Sequence, residues 1–138
     1  MLFRSRKTGE MLFSLIEDYS VSSGSIINQI LLTGMIDLQN KRKETLLMYS
    51  IYHNRPDIAY NLILNGGNVN IKDKNNNTAL HYAVASDINE DELIPLIDIL
   101  IKKGADINRK NKHNKTPVMI AKELNRFKVL EILPEAEE

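Results

Sequence analysis

The sequence predicts an all-α chain in which one helix-pair unit is repeated along its length. Three observations carry this. Threonine-led segments recur: residues 45–51 read T-L-L-M-Y-S-I, residues 78–84 read T-A-L-H-Y-A-V, and residues 116–122 read T-P-V-M-I-A-K. Glycine-led segments recur between them, as G-G-N-V-N at 66–70 and G-A-D-I-N at 104–108. The threonines stand 33 and 38 residues apart, and Asn70 and Asn108 each precede the next threonine by eight residues. Two kinds of landmark that hold one internal spacing mark a translated unit.

Each unit follows from local physics. Counting back from Gly34, Ile26, Ile27, Ile30 and Leu31 fall at second-helix positions, so residues 10–34 read as a degenerate first unit. Thr45, Thr78 and Thr116 stand where a hydroxyl accepts a bond from the unpaired amides of a helix start. Pro117 takes the first helical position, where its missing N–H is not needed. Leu47, Ser50 and Ile51, then Leu80, Ala83 and Val84, mark one helical face, with small residues where helices approach. Polar pairs, Asn54-Arg55 and Asn125-Arg126, lead into second helices over residues 58–63 and 127–133, with 96–101 as their counterpart in the third unit. Gly66 and Gly104 end helices in the left-handed region that glycine tolerates best. Asn- and Lys-rich turn segments follow. The third unit is five residues longer, with the surplus at 87–94. Pro95 is expected in the first turn of the next helix, so the surplus is expected to lengthen the turn before it.

At 138 residues the chain reads as one domain. Units are expected at about 10–40, 41–73, 74–111 and 112–134, with 1–9 and 135–138 as flexible ends. Lys plus Arg and Asp plus Glu number 18 each, so net charge gives no general attraction to nucleic acid or membrane. There is no cysteine, which excludes disulfides and thiolate metal sites. No run suits a signal peptide or a membrane span, and a cytoplasmic location is expected.

The residues Thr78, Ala79, Leu80, His81, Tyr82 and Ala83, with Gly104, Ala105, Asp106, Ile107 and Asn108, resemble the ankyrin repeat family. Thr45 to Ser50 departs at the proline, histidine and alanine, and the segment from Thr116 lacks the histidine. The resemblance covers roughly residues 10–133. It implies a solenoid of stacked antiparallel helix pairs joined by β-turn fingers, with a concave wall of fingers and first helices that binds another macromolecule. It also implies that His81 and Thr78 bond locally and to the neighbouring unit.

No nucleophile or carboxylate cluster accompanies His81, the three histidines lie in three different units, and no phosphate-loop spacing follows the glycines. No enzyme activity, cofactor or metal is expected. The implied function is a non-catalytic protein-binding module that sequesters or inhibits its partner, as an inhibitor, immunity or antitoxin-type protein. A nucleic-acid binder using the fingers, or an assembly adaptor, is the alternative. Carried over from the family, the binding positions are Lys41, Arg42, Glu44, Tyr52 and His53, then Lys74, Asn75, Asn77 and Ser86, then Lys112, His113, Lys115 and Glu123. Tyr52 and Arg42 lead, because aromatic and arginine side chains dominate interface energies. The finger lysines predict a basic ridge facing an acidic protein partner, and a monomer when free.

Overall fold

The computed structural model describes residues 6–134; the ends expected at 1–5 and 135–138 lie outside them. Eight helices follow in order among the described residues: α1 (Arg6–Glu17), α2 (Ser23–Thr33), α3 (Leu46–Tyr52), α4 (Pro56–Leu64), α5 (Ala79–Val84), α6 (Glu90–Lys102), α7 (Pro117–Glu123) and α8 (Phe127–Ile132). Residues 6–9, expected in a loose leading end, instead form the start of α1.

The helices make two layers. Each first helix, α1, α3, α5 and α7, packs on its own partner, and α1, α3 and α5 also pack on the first helix of the next unit, while α2, α4, α6 and α8 pack in a second row. One continuous core runs between the rows, from Leu12, Ile16 and Ile30 through Leu46, Ile58 and Leu62 to Leu80, Leu93, Leu100 and Val129. Each such aliphatic side chain contributes about 1.5–3 kcal/mol by leaving water. Ser50 and Ala83 are fully buried where the first helices meet. The only strand-like pairing among the described residues is a single antiparallel bridge between Gln39 and Thr45.

The helix starts and stops follow the sequence. Thr45 Oγ1 accepts the Met48 N–H at 3.1 Å, and Thr116 Oγ1 accepts the Met119 N–H at 3.2 Å. Gly66 and Gly104 hold φ of 93° and 90°, the left-handed geometry that closes α4 and α6.

Pro95 corrects the sequence reading. It lies inside α6, and the surplus residues lengthen the helix, to 13 residues against nine in α4, more than they lengthen the turn. Asn89 caps this helix by accepting the Asp91 N–H, and Glu90, Asp91 and Glu92 occupy the first turn. Negative charge there is stabilised by the exposed amides and the helix dipole, which offsets what the proline removes.

The units are stitched by side chains that cross between them. Arg55, expected in a polar turn, is buried. Its guanidinium donates to the carbonyls of Ile16 and Asp18 at 3.3 and 3.4 Å and of Val21 at 3.3 Å, all in the first unit. Arg126 repeats this one pair of units later, donating to the carbonyls of Val84 and Ser86 at 3.2 and 2.5 Å.

Candidate protein-binding face

Each finger is shaped by a residue five places before its threonine. Asn40, Asp73 and Asn111 each accept, through Oδ1, two backbone amides of their own finger: Arg42 and Glu44, Asn75 and Asn77, His113 and Lys115. Their own N–H groups donate to the carbonyls of Glu44, Asn77 and Lys115 at 2.9 Å. Lys43, Asn76 and Asn114, two places before each threonine, take left-handed φ of 62°, 60° and 62°. The fingers are then bonded side by side. Lys74 N–H donates to Arg42 O at 3.1 Å, Lys112 N–H to Asn75 O at 2.8 Å, and Asn111 Nδ2 to Asn77 Oδ1 at 2.9 Å.

His81 fixes the first helix of the third unit to the next finger. Its Nδ1 accepts the Thr78 N–H at 3.1 Å, so the ring proton sits on Nε2, which stands 3.0 Å from Lys115 O and donates to it. Burial holds its pKa below the usual histidine value. Tyr82 sits under the fingers, with its hydroxyl 2.6 Å from Asp73 Oδ2 and 3.1 Å from Glu44 Oε2. Burial, then the Asp73 carboxylate, raise its phenol far above the usual range, so it stays a neutral donor between two carboxylates.

The predicted binding residues divide by surroundings. Lys41, Arg42, Lys74, Lys112 and His113 are exposed at the fingertips. None of the four cations makes an ion pair with a described residue. Tyr52 is 70% exposed. A groove of about 450 Å³ brings Tyr52, Asn75, Asn77 and Ser86 together between the fingers and the first helices, with Tyr82 and Asp87.

Others are engaged internally. Lys115 and Glu123 pair with each other at 2.8 Å. The Ser86 hydroxyl donates to Ala83 O, and Glu44 accepts from Asn40 Nδ2. His53, expected at an exposed helix end, is half-buried. Its ring lies 4.3 Å from that of Tyr49 and 5.2 Å from that of Tyr52, with Nε2 3.8 Å from Glu17. The ridge is therefore basic only at its tips, with the carboxylates of Glu44 and Asp73 beneath.

The sequence reading assigns no finger-building role to Asn40, Asp73, Asn111 or Tyr82, and no stitching role to Arg55 or Arg126. A positional signal for most of them existed. The first three share one offset from the threonine, and both arginines stand ten residues after theirs.

Comparison with known proteins agrees with this geometry. The family model for ankyrin repeats (3 copies) matches residues 18–111 and 47–137. The B-cell lymphoma 3 protein homolog of Mus musculus is 33% identical over 63% of this chain, and the putative ankyrin repeat protein FPV233 of fowlpox virus is 38% identical over 54%. An intracellular phospholipase A2 of Caenorhabditis elegans is 30% identical over 86%. The chain spans only 18%, 14% and 11% of the length of these three relatives. Repeats of this kind generally mediate protein–protein interaction. With the stacked helix pairs, the row of bonded fingers and the matched family model together, this chain belongs to the ankyrin repeat family.

Proposed function

We propose that the chain docks a partner protein on its concave face and acts by covering it, as an inhibitor or sequestering module. The observation that carries this is the fixed row of fingers. Backbone bonds hold one fingertip against the next, so the charges of Lys41, Arg42, Lys74 and Lys112 are presented together with no ion pair to a described residue. A preorganised cationic row loses little freedom on binding and speeds the approach of an acidic surface. Tyr52, exposed over the central groove, supplies the aromatic anchor that such interfaces use.

The test is affinity capture from the native cell, followed by titration of the captured protein. Tyr52→Ala is expected to weaken binding by about 1–2 kcal/mol without unfolding the chain. Replacing Arg42 and Lys74 by glutamate is expected to slow association, with the wild-type rate falling as salt rises. Affinity unchanged by all these substitutions would remove the concave face from the reading. Loss of the partner's own activity on binding separates inhibition from scaffolding.

A further inference from the structure

Among the described residues, the first finger leaves one bonding position of the row open. Lys74 and Lys112 each donate a backbone N–H to a carbonyl of the finger before. Lys41 holds the same place, four residues before its threonine, and its N–H has no acceptor among the described residues. Beside it, between the start of α1 and the first finger, lies a groove of about 700 Å³. Its floor is apolar, from Phe13, Met35 and Leu38. Gly9 lets α1 come close, since a Cβ there would lie 3.1 Å from Leu38 Cδ2. Of the charges around it, Arg6 and Glu10 neutralise each other at 3.4 Å, and Glu44 is engaged by Asn40 and Tyr82. Lys41 and Arg42 then stand as two cations against the one remaining carboxylate, Glu44, so the rim is positive on balance.

We propose that this groove takes an extended acidic segment of a partner protein, added to the row in the place of a preceding finger. A backbone carbonyl of the segment accepts the Lys41 N–H. An apolar side chain rests on Phe13, Met35 and Leu38, and a carboxylate beside it meets Lys41 and Arg42. Strand-like addition of this kind takes affinity from main-chain bonds and selectivity from alternate side chains. Lys41 and Arg42 also belong to the proposed cationic row, but the groove shares no lining residue with the central one that contains Tyr52, so Tyr52→Ala touches the central groove alone.

The test is selection of a random 12-residue peptide library on the immobilised full chain, followed by titration of the synthetic winner. The winner is expected to join an apolar residue to neighbouring acids and to move the Lys41 amide in a nitrogen–proton correlation spectrum. Lys41→Pro, tolerated at this turn position, removes the N–H and is expected to weaken binding at least tenfold. Lys41→Ala, which keeps the N–H, is expected to weaken it about threefold, and Tyr52→Ala not at all. Failure to enrich any peptide overturns the proposal, as does binding indifferent to Lys41→Pro. A peptide lost to Tyr52→Ala belongs to the central groove and overturns it too. A dimer in light scattering that Lys41→Pro abolishes would make the occupant a second copy instead.

Discussion

The third unit is held to its neighbours differently from the second and fourth. In those two, an asparagine in left-handed geometry, Asn54 at φ 57° or Asn125 at φ 55°, turns the chain so that the next residue, an arginine, reaches back to carbonyls of the preceding unit. The third unit has Asp87 at the corresponding place and no such arginine. It buries Ile88 in its turn, extends α6, and sends His81 forward to the finger of the fourth unit. Met48 and Met119 occupy the position of His81 in the other two units. One repeated backbone thus accepts two kinds of stitch. The first is a permanently charged side chain that satisfies carbonyls left over at a turn. The second is a neutral ring that is both acceptor and donor, and so depends on its own protonation.

Three experiments would break or sharpen this contrast. Arg55→Ala is expected to have the largest effect, a loss of about 2–3 kcal/mol, because it removes charge-assisted bonds from a buried side chain and strands the Ile16 carbonyl of the first unit. Arg126→Ala, at a half-buried position with two carbonyls, is expected to cost about 1–2 kcal/mol. Denaturant titration measures both, and equal losses would show that burial does not separate the two stitches. Pro95→Ala is expected to raise stability by about 1–2 kcal/mol, since it restores a donor to the Asp91 carbonyl inside α6. A neutral or harmful effect would mean that the helix begins at the proline, as the sequence pattern suggested.

The smallest effect concerns pH. Burial lowers the folded-state pKa of His81 below its ordinary 6.5. Between those two values the unfolded chain binds more protons than the folded one, so stability falls as pH drops below about 6.5 and is fully present above it. His81→Met, which copies the second and fourth units, is expected to flatten that part of the stability–pH curve. Parallel curves for the two proteins would show that the ring contributes no such dependence.

Much of the fold was legible because its signals are local. A threonine caps the helix that follows it, and Gly66 ends the helix that precedes it. The alternation of Leu47, Ser50 and Ile51 marks a buried face whatever lies opposite. The candidate site was legible only in outline. Fingertip residues could be placed by counting from the threonines, but whether a side chain is offered or already engaged depends on distant neighbours. Lys112 and Lys115 look alike in sequence, yet only Lys115 has Glu123 within reach. His53 reads as exposed until Glu17 and Tyr49 close around it. Arg55 reads as a turn residue until the first unit presents its carbonyls.

The sequence alone determined the repeat, its helix boundaries within a few residues, and the glycine and threonine positions that punctuate it. All of these rest on contacts within a turn or two of the chain. Tertiary structure decided which polar residues stitch and which remain open, where the added residues of the third unit went, and that the Lys41 amide has no acceptor among the described residues. Those outcomes depend on groups more than thirty residues apart being brought within 3 Å or so of one another, and stacking of whole units is what brings them there.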